Sequence, residues 1–178
     1  MMENLEKCIL ETERLWIRPV SISDAEALFL YRSEPETAAH LSKEPKTVQD
    51  MVSFIEQCAS SLNQAETWFQ VVVLEKEGNQ IIGDIGLHFL ADENIMEIGY
   101  TLGKNHRGRG YASEAVKRVV QFAFETLNKK EIIASVDPNN TPSIKLLERI
   151  GFHKKSHSVK SLFFKGEWVD DVVYALHA

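Results

Sequence analysis

A chain of 178 residues, 44% hydrophobic and 26% charged, has the size and make-up of one globular domain. It can bury roughly two-thirds of its surface without disulfide or metal staples. A formal net charge of −6 permits a cationic substrate and weighs against non-specific nucleic-acid binding, which wants a positive surface.

Two cysteines, Cys8 and Cys58, are too few for a disulfide framework and read as reduced thiols of a cytoplasmic protein. No apolar run approaches the roughly 18 residues of a membrane helix, and the acidic start MMENLEKC does not resemble an export signal. No linker, repeat or low-complexity tract interrupts the chain, so residues 1–178 read as one domain. Leu15 to Val20 is a short apolar stretch with strand character. Ser23 precedes an acidic first turn, Asp24-Ala25-Glu26, and Leu28, Phe29 and Tyr31 follow on a helix. A second helix starts at Thr47, with Asp50 three residues on as a capping-box variant. Val48, Met51, Val52, Ile55, Cys58, Ala59 and Leu62 form its apolar stripe. Trp68 to Leu74, Ile81 to Leu90 and Ile95 to Leu102 are predicted strands, joined as antiparallel hairpins by the turn-like EKEGNQ and ADEN segments.

Tyr111 to Leu127 is the clearest predicted helix, with Ala112, Ala115, Val116, Val119, Val120, Ala123 and Leu127 as its buried stripe. Glu131 to Val136 returns as a strand, which makes a strand–helix–strand crossover and a parallel pair. Thr141 is expected to cap a short helix with Pro142 at its first position, and Gly151 to end it. Phe152 to Leu176 reads as two strands turning at Lys165-Gly166. The fold class is α+β, with mostly antiparallel strands around one central crossover.

The loop Asn105-His106-Arg107-Gly108-Arg109-Gly110 lies between a predicted strand and the strongest helix. Two glycines let the backbone approach a ligand and adopt positive φ. The unpaired N–H groups opening the helix then suit a pyrophosphate, and Arg107 and Arg109 add charge. A nucleotide P-loop, G-x-x-x-x-G-K-S/T, is approached by Gly103 to Gly110, but Arg109 and Gly110 replace its lysine and hydroxyl. A dinucleotide fingerprint lacks its third glycine, at Ser113. Taken alone, the loop is also compatible with a glycine-softened turn carrying solvated arginines.

The loop gains meaning with its companions: Ile81-Ile82-Gly83-Asp84-Ile85-Gly86-Leu87, Glu97-Ile98-Gly99-Tyr100, and Asn140-Thr141-Pro142-Ser143 followed by Gly151-Phe152. In this order the set resembles the GNAT superfamily of N-acetyltransferases. Leu10-Glu11-Thr12-Glu13-Arg14-Leu15 with Arg18-Pro19, and Gly110-Tyr111-Ala112-Ser113-Glu114-Ala115, resemble the branch holding the ribosomal-protein N-terminal alanine and serine acetyltransferases. The resemblance implies a single GNAT domain with a sheet of about six or seven strands. One strand pair in it is splayed to take the pantetheine arm of acetyl-CoA. The family's loop reads Q/R-x-x-G-x-G/A; Asn105 departs at the first position, while Gly108 and Gly110 fit. By resemblance, the backbone of Arg107, Gly108, Arg109, Gly110, Tyr111 and Ala112 holds the pyrophosphate. Tyr100, Thr101 and Leu102 pair with the arm, and Asn140 hydrogen-bonds the cofactor. Asn140 also reads simply as a turn residue before a helix.

Acetyl transfer to an amine needs a base, because an α-amino group (pKa about 8) or a lysine (about 10.4) is largely protonated near neutrality. It also needs a fixed donor for the oxyanion, for which a backbone N–H of the splayed strand serves, and a donor for the departing thiolate. Ser143 is the candidate donor, matching the branch's Asn-x-x-Ser; its hydroxyl could instead bond its own helix end or orient the thioester. The tyrosine that many relatives carry four residues later is Leu147 here. Glu97, a carboxylate among apolar strand residues, is the preferred base against the reading of an ordinary exposed strand residue. Asp84 and His88 are weaker bases or groups that recognise the incoming amine.

Metal catalysis finds no support among the scattered histidines, and His153 and His157 read as decoration of a solvated strand or loop. Ser-His-Asp hydrolysis lacks a G-x-S-x-G elbow. The implied acceptor is a primary amine, first a protein N-terminus, then a small molecule such as a polyamine, amino acid or aminoglycoside. A non-catalytic CoA-binding regulatory module is the alternative that Asn105 and Leu147 permit. Neither nucleic acid nor membrane is an expected partner, and a homodimer is left open.

Overall fold

Residues 10–178 are described by a computed structural model; Cys8 and the acidic N-terminal segment lie outside them. In chain order the elements are β1 (Leu10–Glu11), β2 (Leu15–Pro19), a 3-10 turn (Ile22–Asp24), α1 (Ala25–Arg32), α2 (Pro35–Ala38) and α3 (Val48–Gln57). Then come β3 (Thr67–Glu75), β4 (Gln80–Phe89), β5 (Ile95–Leu102), a second 3-10 turn (Lys104–His106), α4 (Tyr111–Glu125), β6 (Glu131–Val136), α5 (Thr141–Arg149), β7 (His153–Phe164) and β8 (Glu167–His177). The strands form one 8-stranded sheet in the order β1-β2-β3-β4-β5-β6-β8-β7. That exceeds the expected six or seven because the two-residue β1 folds back on β2, pairing Leu10 with Ile17. Every neighbouring pair is antiparallel except β5 and β6, which the α4 crossover joins in parallel.

Alternation along β3 sets the layers, because Phe69 to Leu74 is buried on both faces. Phe69, Val71 and Val73 pack with Val116, Val119, Ala123, Leu146 and Leu147 of α4 and α5. Val72 and Leu74 pack with Ala25, Leu28, Tyr31, Met51 and Ile55 of α1 and α3 on the other face. Fully burying each such aliphatic or aromatic side chain is worth about 1.5–3 kcal/mol.

Local signals explain most boundaries and their exceptions. Thr47 and Asp50 form the expected capping box, the Asp50 amide donating to Thr47 Oγ1 at 3.2 Å and the Thr47 amide to Asp50 Oδ2 at 2.9 Å. The helix stops at Gln57, sooner than its stripe suggested. Cys58 is extended and the Ala59 amide bonds the Trp68 carbonyl, so Ala59 and Leu62 reach the core from a loop. Ser21, not Ser23, starts the first helical turn. Its amide donates to Asp24 Oδ2 at 2.8 Å, and Arg18 grips the same carboxylate through two 2.8 Å bonds. Burial alone would raise the Asp24 carboxyl, but Arg18 and Ser21 outweigh it and hold it below the usual range.

The α5 cap is Asn140 rather than Thr141, with Oδ1 accepting from the Ser143 amide at 3.3 Å. Its end is a Schellman turn: Phe152 N–H bonds Leu147 O, Gly151 N–H bonds Glu148 O, and Gly151 has φ +103°. Lys165 and Gly166, both at positive φ, make the tight turn expected between β7 and β8. His153 and His157, four residues apart, sit on β7, where His157 pairs with Asp170 at 2.7 Å. Among the described residues no group of three or more His, Cys, Asp or Glu could hold a metal, and no helix is long and apolar enough to cross a membrane.

The feature that positions the site is a parting of strands. β5 pairs with β6 only from Ile95–Glu131 to Glu97–Ile133. β6 continues with β8 as far as Val136, and β5 continues with β4 as far as Leu102. Two glycines of this region behave oppositely. A Cβ on Gly83 would press on the Thr101 carbonyl and lie 3.2 Å from Leu102 Cα, whereas one on Gly99 would meet nothing within 4 Å. Gly83→Ala is expected to cost about 1–3 kcal/mol through overpacking and to lower the Tm, while Gly99→Ala leaves the Tm at the wild-type value. Calorimetric melting of the two variants checks both.

Candidate active site

A cavity of about 630 Å³ occupies the gap between the parted strands. Its wall includes Ile98, Gly99, Tyr100 and Thr101 of β5, Ser135 and Val136 of β6, and Asn140 and Ser143 at the start of α5. Strand register sorts the side chains by face. Trp68, Gln70, Asp84, Gly86, His88, Glu97, Gly99 and Thr101 belong to the face covered by α1 and α3; Ile98 and Tyr100 belong to the α4 face. The cavity takes its lining from both, so it runs through the sheet.

Near one end of the parted strands lies the glycine loop. Gly108 (φ +75°) and Gly110 (φ +80°) hold backbone angles that L side chains rarely adopt. Gly110 is the N-cap of α4, and among the described residues no side chain caps the helix, which leaves its first N–H groups for a ligand. Space beside Gly108 is open, with nothing within 4 Å of a Cβ built there. This cradle fits the pyrophosphate of CoA. Arg107 is committed locally: its Nε donates to the Leu102 carbonyl at 3.1 Å and its Nη2 to Thr37 Oγ1 at 2.7 Å. Arg109 is exposed and lies near the Tyr111 hydroxyl.

The loop is braced from far away in sequence. Arg14 donates from Nη1 to the Arg109 carbonyl at 2.9 Å and from Nε to Glu114 Oε2 at 2.7 Å, and its guanidinium lies over the Tyr111 ring at 4.4 Å. Glu114 also accepts from Thr12 Oγ1 at 2.5 Å and from the Arg14 amide at 3.0 Å. Desolvation opposes ionisation of Glu114, yet these bonds prevail and keep its carboxyl below the usual glutamate range. The clamp is therefore intact above the ordinary glutamate pKa of about 4.3 and is lost as pH falls through the lowered value.

On the α1 face, Trp68, His88 and Glu97 stand opposite one another on β3, β4 and β5. His88 stacks on Trp68 with centroids 4.4 Å apart, and its Nδ1 lies 2.9 Å from Glu97 Oε2. Glu97 lines the cavity and is partly exposed. Asp84 is 2% exposed and fully engaged: Tyr31 Oη donates to Oδ1 at 2.5 Å, while Arg32 Nη1 at 2.6 Å and Gln70 Nε2 at 2.5 Å donate to Oδ2. Its charge is met by Arg32, so the structure gives Asp84 the place of an anchor for α1 rather than of an open amine receptor. Burial, then the Asp84 carboxylate, push the Tyr31 phenol well above its ordinary value.

On the α4 face, Tyr100 Oη lies 2.7 Å from Ser143 Oγ. The Ser143 hydroxyl thus meets a side chain of β5 instead of its own helix end. The side chains of Tyr31, Arg32, Gln70 and Trp68, and the hydroxyl of Tyr100, are absent from the sequence reading of the site. A signal existed for two of the partners: Gln70 and Asp84 are lone polar residues in apolar strands, which demands a buried partner.

A family model described as an acetyltransferase (GNAT) domain matches residues 14–153. The chain is 38% identical over 172 residues to the uncharacterized N-acetyltransferase p20 of Bacillus licheniformis, covering 94% of each chain. It is 27% identical to the ribosomal protein uS5-alanine N-acetyltransferase of Escherichia coli, covering 97% of this chain and 92% of that one. A GNAT-family acetyltransferase structure from Bacillus anthracis superposes with a TM-score of 0.86 at 27% identity, over 95% of this chain and 98% of that one.

Arg14→Ala is expected to weaken CoA binding about tenfold, the scale of one charge-assisted hydrogen bond, and to leave pantetheine binding unchanged, because pantetheine lacks the pyrophosphate. Calorimetry with the two ligands checks this; equal losses would place the effect of Arg14 outside the loop. Gly108→Val is expected to weaken CoA binding by crowding the cradle, and wild-type affinity would put the pyrophosphate elsewhere.

Proposed function

The chain belongs to the GNAT family of N-acetyltransferases, and on that premise we propose that it acetylates the amine at a protein N-terminus, with acetyl-CoA as donor. Acetyl-CoA supplies a thioester that the amine attacks directly, with no covalent enzyme intermediate. The backbone of Arg107 to Ala112 receives the pyrophosphate. The edge of β5 from Tyr100 to Leu102, unpaired where β6 leaves it, receives the pantetheine arm. Asn140 spends its Oδ1 on the helix cap and has its Nδ2 left for the cofactor.

Glu97 is the base, drawing the amine proton directly or through water, with His88 holding the carboxylate in place. Ser143 is the donor toward the departing sulfur. The two groups lie on opposite faces of the sheet with the gap between them, which is the order that attack from one side and departure to the other require.

One observation favours a protein N-terminus. Beyond the residues of the gap, the cavity wall also includes Leu41, Phe54 and Trp68, and Phe163 of the β7–β8 hairpin. Its volume of about 630 Å³ is shared between the pantetheine arm in the gap and the chain behind the reacting amine, for which these apolar side chains supply contacts. A small polyamine is the second reading, favoured by Glu97, Asp137, Asp170 and Asp171 in the same wall.

Acetyl-CoA-dependent release of CoA thiol, measured with Ala- and Ser-starting peptides, polyamines, amino acids and aminoglycosides against an acceptor-free blank, separates the readings. The highest kcat/KM is expected with the peptides; turnover confined to polyamines would replace the first reading by the second. On the best acceptor, Ser143→Ala is expected to lower kcat by about 10²-fold with little change in the KM for acetyl-CoA. Glu97→Gln is expected to lower kcat on the best acceptor with little change in the KM for acetyl-CoA. A kcat that stays at the wild-type value removes the substituted residue from the mechanism.

A further inference from the structure

The residue four places after Ser143 is Leu147, and it is fully buried among core side chains. No phenol can therefore reach the reacting sulfur from that turn of α5. A phenol arrives from another element instead. Tyr100 projects from β5 on the α4 face, and its Oη lies 2.7 Å from Ser143 Oγ and 3.4 Å from the Ser143 carbonyl oxygen. Both residues line the cavity at the parting of the strands. The Ser143 amide is held independently by Asn140 Oδ1 at 3.3 Å, so backbone and side chain of this serine are fixed by different partners.

We infer that Tyr100 is a positioning residue for acetyl transfer: by donating its phenolic proton to Ser143 Oγ, it turns the serine's own proton into the gap, toward the sulfur of CoA. The inference rests on the reading of Ser143 as the donor to sulfur and adds a residue whose role in that reading was limited to the strand edge.

The chemistry follows from the hydroxyl inventory. A serine hydroxyl has one donor and two acceptor sites. With one acceptor site filled by Tyr100, the donor has no partner in the pair and is free for the gap. The phenol remains protonated throughout the working range, because burial pushes it up to about 12, more than the bond to Ser143 pulls it down. It therefore keeps a proton to donate at every pH at which an amine is acetylated.

When the C–S bond breaks, its electron pair stays on sulfur and accepts the Ser143 hydrogen bond. No proton has to leave the tyrosine–serine pair. The thiolate takes up from solvent the equivalent of the proton that the amine surrendered on the other face, so charge and atoms balance. Chained hydroxyls polarise one another, and a serine that accepts from a phenol is a stronger donor than a serine alone.

The test needs no acceptor. Bound CoA carries the leaving group as a thiol, and its ionisation can be titrated by thiolate ultraviolet absorbance, with affinity followed by calorimetry. In the wild-type protein the thiol is expected to titrate below free CoA measured alongside. Tyr100→Phe keeps the ring in its packing and removes only the hydroxyl; it is expected to raise the bound thiol's pKa by about one pH unit at unchanged CoA affinity. Ser143→Ala is expected to raise it at least as far, and the double variant no further than Ser143→Ala alone, because Tyr100 acts only through the serine.

A wild-type titration in Tyr100→Phe, with Ser143→Ala shifted, overturns the inference and leaves the serine as donor. A wild-type titration in Ser143→Ala removes the donor reading itself, and the inference with it. Additive shifts in the double variant would show Tyr100 acting on sulfur independently, which also overturns the positioning role.

Discussion

β5 and β6 are joined by only three residue pairs, ending at Glu97 and Ile133. Beyond them each strand is claimed by a different neighbour: β4 carries β5 to Leu102, and β8 carries β6 to Val136. Neither can bend back without giving up an antiparallel ladder and the core beneath it. The backbone groups facing the gap are strong hydrogen-bonding groups without strand partners, and such groups are rarely left unsatisfied when covered. An extended, amide-bearing ligand is their natural complement.

The same parting divides the reaction's labour. Because side chains alternate across a strand, Glu97 and Tyr100, three residues apart on β5, face opposite ways. Glu97 meets His88 and Trp68 on the face that α1 and α3 cover. Tyr100 meets Ser143 on the face of α4 and α5. In the proposed mechanism, proton removal and leaving-group departure fall to separate hydrogen-bonded pairs with no side chain in common. The Asp84 network contributes differently. A buried carboxylate with three donors ties α1 to β3 and β4 and so fixes one wall of the cavity.

Short-range grammar made much of the fold legible. β5 and β6 follow their predicted bounds, Thr47 and Asp50 cap α3, and Lys165-Gly166 turns the terminal hairpin. Gly151 ends α5 through a turn whose residues are consecutive. Errors of one or two residues arose where two cap formers compete, as at Ser21 against Ser23 and Asn140 against Thr141. Such contests are decided by the partner the side chain reaches, which spacing does not reveal. The positive φ of Gly108 and Gly110 was legible because a glycine pair before a helix is a local signal. The tyrosine–serine contact was not: it joins residues 43 apart across a sheet and a helix. Asp84 was read as a weaker base or an amine-recognising group; its saturation by Tyr31, Arg32 and Gln70 is a fact of packing.

The Arg14 brace bears on the order in which the molecule becomes competent. Arg14 and Glu114 lie 100 residues apart, and a contact of that span forms only after the intervening chain has been brought into register. Helix α4 can wind by itself, because its stripe and its first turn are local. The carbonyl of Arg109 is fixed only when β1, β2 and the start of α4 have come together. With the proposed cradle, cofactor capture would be a late acquisition of the folding chain, and the appearance of CoA binding would mark completed topology rather than the first formation of helix and hairpin. A partly folded molecule with most of its secondary structure would then hold CoA poorly, and acetyl transfer would be confined to chains that have closed.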